Sequence, residues 1–149
     1  MDVGTYYYRR GLLLHEAVVA TKNSKELCES LLYRNPKLIN EKDEDGNTAL
    51  HIAAKYGNIE VCKLLLDRGT YVNVTNKKYY TPLHIAAKYG NMGVCELLIK
   101  HQASVNVFGL DCQTPFNLAQ QSGNTLLIEL LRNCGGESFI ESFFKPNMR

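Results

Sequence analysis

The sequence predicts an all-α fold, an α-solenoid of stacked helix-turn-helix units, and three observations carry that prediction. The stretch LHIAAKYGN is written twice without change, at residues 50–58 and 83–91, 33 positions apart. The same interval joins Thr48, Thr81 and Thr114, then Gly57, Gly90 and Gly123, and again Asn40, Asn73 and Asn106. Within each interval lie two short apolar segments with helix punctuation, and their apolar stripes are too wide to be buried inside one unit. Neighbouring units must therefore stack.

The third unit shows the local chemistry most plainly. Thr81 is a good N-cap and Pro82 suits the first helical turn, where its missing N–H has no partner to lose. Leu83, Ile85, Ala86 and Ala87 give an apolar body with two small residues that admit a close neighbour, and Gly90 supplies the left-handed residue that ends the helix. Asn91 is expected to cap the next helix, whose stripe is Val94, Cys95, Leu97, Leu98 and Ile99. The second unit repeats this plan from Thr48. At the N-terminal side, LLLHEAVV and KELCESLLYRNPKLIN match the two helices with two extra residues in the turn between them. At the other end, TPFNLAQQSGNTLLIELLRNCG keeps the pattern while Phe116, Asn117 and Gln120 replace Leu, His and Ala, a drift expected of a cap facing water. The resulting division is a flank at 1–10, units at about 11–42, 43–75, 76–108 and 109–136, and a tail at 137–149.

A period of 33 headed by T-P-L-H resembles the ankyrin repeat; residues 81–107 are similar to a nearly complete consensus unit, and residues 48–74 depart from it mainly at Ala49. The resemblance implies that each unit is a β-turn finger followed by two antiparallel helices, in a stand-alone array of four repeats. It implies that His15, His51 and His84 hydrogen-bond near helix starts and between units. It also implies that partners dock on the concave face formed by finger tips and first helices. Carried onto this chain, the tips are Glu44, Asp45 and Asn47, then Lys77, Lys78, Tyr79 and Tyr80, then Leu110, Asp111 and Gln113. The first helices add Lys55 and Tyr56, Lys88 and Tyr89, and finally Gln121 and Ser122.

Composition narrows the classes. Seventeen Lys and Arg against fifteen Asp and Glu leave a net charge of +2, so no global field marks the chain for nucleic acid or an anionic membrane. No apolar run approaches the ~20 residues of a membrane helix. Arg9-Arg10 before GLLL mimics an export signal without the apolar region that such a signal needs. Cys28, Cys62, Cys95, Cys112 and Cys134 are odd in number and contain no C-x-x-C pair, against both a disulfide framework and a zinc finger. Free thiols, a cytoplasmic location with nucleus or host-cell cytoplasm also open, and an unused Asn73 glycosylation triplet are expected.

Enzyme chemistry is the weaker class. The His column places its members in successive units, and packed helices lie about 8–10 Å apart, which one metal ion does not easily bridge. Cys28, Cys62 and Cys95 form a second column where a small apolar residue is wanted, and a Cys62–His51 dyad lacks an orienting third residue. Phosphate-binding, hydrolase and zinc-protease motifs are absent from the sequence. No catalysis, no cofactor and no metal are expected.

What remains is binding: a monomer that engages another protein, one with an acidic surface, by occlusion or scaffolding. Tyr56, Tyr80 and Tyr89 are natural anchors, since Tyr offers contact area at low entropy cost. For Tyr56 and Tyr89 the alternative is packing under the neighbouring finger. Tyr79 stands where the preceding finger has Gly46, and Gln102, at a helix end, where the preceding unit has Gly69, so both are asked to take positive φ at a cost of about 1 kcal/mol or more. The tail, with Phe139 and Phe143 beside Ile140 and Phe144, reads as a lid on the last unit or as an anchor for a second partner in a bifunctional adaptor.

Overall fold

The computed structural model describes residues 12–20 and 22–138; the flank at 1–10 and the aromatic residues Phe139, Phe143 and Phe144 lie outside them. The described residues form eight α-helices and no strand. They are α1 (Leu12–Val19), α2 (Ser24–Arg34), α3 (Ala49–Tyr56), α4 (Ile59–Asp67), α5 (Pro82–Lys88), α6 (Met92–Lys100), α7 (Pro115–Ser122) and α8 (Thr125–Asn133), with a 3-10 turn at Pro36–Asn40. These make four antiparallel pairs. Odd-numbered helices pack on one another as an inner row, and even-numbered helices form a looser outer row.

The inner row is tighter because its contacts are small. Ala53, Ala54, Ala86, Ala87 and Ala119 are wholly buried, so the backbones of α3, α5 and α7 approach closely, while the buried residues of the outer helices are the larger Leu, Val and Cys. Closer spacing on one side of a stack curves it, leaving the inner side concave. Leu50, Leu83 and Phe116, one period apart, are buried at the same place in three units. Phe116 thus departs from the expected polar drift: its larger ring fills the core of the last pair, and only Gln120 of the three replacements turns to solvent.

Three ladders of polar side chains join the units. In the first, His15, His51 and His84 present Nε2 to the carbonyls of Asn47, Tyr80 and Gln113 at 2.6, 2.8 and 3.1 Å. The Nδ1 atoms of His51 and His84 accept from the N–H groups of Thr48 and Thr81 at 3.1 and 3.0 Å, closing a capping box at each helix start. An accepting Nδ1 puts the proton on Nε2, which donates to the next finger. In the second, Asn40, Asn73 and Asn106 accept from the N–H groups of Tyr71, Ser104 and Glu137. In the third, Asn58, Asn91 and Asn124 reach back to Ser24, Ala54 and Gly90 of the preceding unit. Asn58 and Asn124 also cap their helices through the side chain, but Asn91 does not. It stands at the N-cap of α6 as expected, but its side chain makes no capping bond; its Nδ2 donates to the Ala54 and Lys55 carbonyls at 2.7 and 3.0 Å.

Candidate protein-binding site

Each finger is a tight turn whose fourth residue takes positive φ: Gly46 at 79°, Tyr79 at 59° and Cys112 at 59°. In the second finger Asp43 Oδ1 accepts from the N–H groups of Asp45 and Asn47, and in the third Asn76 does the same for Lys78 and Tyr80. Successive fingers are joined by backbone bonds, Lys77 N–H to Asp45 and Leu110 N–H to Lys78, at 3.0 and 2.8 Å. Gly46 is required here, because a Cβ would come within 2.9 Å of the Lys77 nitrogen. Tyr79 and Gln102 take positive φ as the sequence implied; Cys112 does too, although its place 33 residues after Tyr79 gives the same signal.

Tyr80 corrects the expectation of a surface anchor. It is 6% exposed, its ring stacks on His84 at 5.0 Å between centroids, and its hydroxyl donates to Asp111. Burial and the Asp111 carboxylate push the phenol up to about 12. The ring takes the space where a side chain at position 109 would stand, so residue 109 is glycine; a Cβ there would collide with the ring edge. The fourth finger consequently lacks the Asp or Asn acceptor at that position, and Asp111 Oδ1 accepts from Gln113 N–H instead, at 3.2 Å. Tyr80 was legible as an aromatic residue at a finger tip, but its direction was not.

Tyr56 and Tyr89 are 61% and 49% exposed, which settles them as surface residues rather than rings tucked under a finger. The Lys55 ammonium lies 5.5 Å from the Tyr56 ring centroid and 5.7 Å from that of Tyr89, and Lys88 lies 6.0 Å from Tyr89. Such contacts hold two flexible cations in place. Between the second and third fingers and the inner helices α3 and α5 opens a cleft of about 270 Å³. Asp45, Asn47, Lys55, Lys77, Lys78, Tyr80, Lys88 and Tyr89 line it, with Asn76, Ile52, Ile85 and His51, which sequence reasoning did not assign. Ile52 and Ile85 share one place in the repeated nonapeptide and are only half-buried, the signal that could have marked them. Glu44, Tyr79, Leu110 and Asp111 are exposed and Gln113 is half-buried outside the cleft; Gln121 donates to Gln113 at 2.8 Å.

The buried titratable groups are tied into the stack. Burial holds His51 down to about 4, against partial support from its bond to the Tyr80 carbonyl, and lowers His84 for the same reason. Burial pushes the thiols of Cys28, Cys62 and Cys95 up to about 11, 12 and 12, away from the nucleophilic thiolate. Cys112 and Cys134 are exposed. Among the described residues no group of three or more His, Cys, Asp or Glu is placed to hold a metal ion, and no helix is long and apolar enough to cross a membrane.

Period, paired helices, fingers and the His capping boxes together define an ankyrin array. A family model described as ankyrin repeats (3 copies) matches residues 14–108 and, in an overlapping placement, 64–141, and the chain belongs to that family. It is 36% identical over 66 residues to a transient receptor potential cation channel subfamily A member 1 homolog from Caenorhabditis elegans, which covers 44% of this chain and 5% of the channel protein. It is 36% identical over 58 residues to the serine/threonine-protein kinase VIK of Arabidopsis thaliana, covering 39% of this chain and 13% of the kinase. The chain spans only a small part of each relative. Ankyrin repeats are generally protein–protein interaction modules, and the family is typically non-catalytic.

Proposed function

We propose that the protein is a non-catalytic binding module that engages a partner protein through its concave face, centred on the second and third fingers with α3 and α5. The observation that carries this reading is the rim of Lys55, Lys88, Tyr56 and Tyr89. Two large rings stay exposed beside ordered cations, at positions that the packing of the stack does not demand. Exposed aromatic area next to charge is the composition of interface anchors. The partner surface is acidic, the module acts as a monomer in the cytoplasm or nucleus, and its effect is occlusion or scaffolding: with the cleft filled, the partner's own contact residues are covered. Glu44 and Asp45 on one side, and Leu110, Asp111 and Gln113 on the other, would form the edges of the contact.

The test is hydrogen–deuterium exchange on the complex with a partner captured from the source cell. Slower exchange confined to residues 43–56 and 76–89 is the expected pattern. Protection of α4, α6 and α8 with the fingers unchanged would place the interface on the outer row and defeat the reading.

A further inference from the structure

We propose that the cleft between the second and third fingers receives an extended acidic segment of a protein, a carboxylate side chain entering among the lysines with an apolar neighbour laid on the floor. This deepens the concave-face reading and rests on it. Lys55, Lys77, Lys78 and Lys88 line the cleft against one acid, Asp45, in a chain whose net charge is only +2. Among the described residues none of these four ammonium groups is engaged in an ion pair, whereas Lys42, nearby, is spent on the Thr75 carbonyl at 2.9 Å. Four lysines around one small opening with a single acid among them leave its local charge positive, which an anion would neutralise. The floor is not polar throughout: half-buried Ile52 and Ile85 would accept an aliphatic side chain.

Size and chemistry favour peptide over nucleic acid. About 270 Å³ is close to the lower limit of ligand pockets, room for one or two side chains within a wider contact. The cations are all lysine, point charges without the planar fork that grips phosphate or base edges in two places. A nucleic-acid backbone also needs a continued basic track, and here the track stops at the second finger, where Asp43, Glu44 and Asp45 stand together.

A random peptide library selected on the full chain tests the proposal. A parallel selection uses the Lys77→Glu, Lys78→Glu, Lys88→Glu variant, its fold checked by circular dichroism melting. Peptides selected on the wild-type chain should carry Asp and Glu at ~3-fold or more above the starting library, and that enrichment should vanish on the variant. Their binding should weaken about tenfold as salt is raised from low to above physiological strength. No acidic enrichment, or an enrichment that survives charge reversal, overturns the inference. So does a single-stranded oligonucleotide that binds more tightly than the selected peptides. Tyr89→Arg separates the two readings: selected peptides that are not acidic but are lost with Tyr89→Arg leave the concave face standing without this inference, and peptides that are neither acidic nor affected by Tyr89→Arg remove both.

Discussion

The Tyr80 hydroxyl donates to the Asp111 carboxylate, so the third finger holds the fourth through a side chain that reaches across the unit boundary. The same ring covers Gly109 and stacks on His84, making Tyr80 a wedge between fingers. Tyr80→Ala should lower stability by about 3 kcal/mol or more, and Tyr80→Phe by about 1 kcal/mol, in denaturant titrations. Any loss of partner binding should track unfolding rather than the loss of a contact. Gly109→Ala should be damaging in the wild-type chain and milder beside Tyr80→Ala, with a coupling of about 1 kcal/mol or more in a double-mutant cycle. Additive effects would show that the ring and the glycine are independent.

His51 gives the fold a pH dependence whose sign follows from its burial. Unfolded, the imidazole titrates near 6.5; folded, it stays neutral until about 4. Between those values the unfolded chain takes up a proton that the folded chain refuses, so stability falls as pH drops through that window and levels off below it. The loss is as much as ~3 kcal/mol. Asn117 holds the equivalent place in the last unit, where its Oδ1 accepts from Thr114 N–H at 3.2 Å, so an Asn fits the capping site. His51→Asn should therefore cost some stability at neutral pH and flatten the decline between pH 6.5 and 4 relative to wild type. An unchanged slope would mean that His51 is not the group being refused its proton.

Thiol reactivity should divide in two. Cys112 and Cys134 should alkylate quickly in the native protein, while Cys28, Cys62 and Cys95 should react only on unfolding, being buried and held at about 11 to 12. Mass spectrometry after timed labelling reads this directly. Cys62→Ala should cost about 1–2 kcal/mol and leave partner binding intact where the fold survives. A chelator should leave the melting temperature unchanged, since His51 and His84 use both ring nitrogens within the stack.

Tyr79 keeps a positive φ that glycine adopts freely, yet its ring is 56% exposed. Tyr79→Gly should raise stability by up to about 1 kcal/mol by relieving that backbone. If the residue is retained for contact, the same change should weaken partner binding. A more stable variant that binds as well as wild type would reduce Tyr79 to drift.

The stack was legible because its signals repeat. Thr, Gly and Asn at fixed 33-residue intervals mark caps and turns that depend on local chemistry alone, and the structure places them as caps, left-handed turns and ladder rungs. Asn91 shows the limit: Asn58 and Asn124, in the same sequence setting, both cap a helix and reach back to the preceding unit, whereas Asn91 only reaches back, to Ala54 and Lys55. The site was less legible for a related reason. Tyr56, Tyr80 and Tyr89 look alike in the chain, but the missing side chain at Gly109 draws Tyr80 inward, a relationship spanning 29 residues. Ile52 and Ile85 read as core from their apolar nature, and the structure leaves them half-buried on the cleft floor.

Two tyrosines on opposite faces provide the most direct test of concave-face binding. Tyr89 lies on the inner side at 49% exposure, and Tyr33 lies on the outer helix α2 at 87%. Isothermal titration of the captured partner against Tyr89→Ala and Tyr33→Ala compares them at matched chemistry. Tyr89→Ala should weaken binding about tenfold or more with its melting temperature nearly unchanged, and Tyr33→Ala should bind as wild type. Normal binding by Tyr89→Ala together with a loss in Tyr33→Ala would contradict recognition by the concave face.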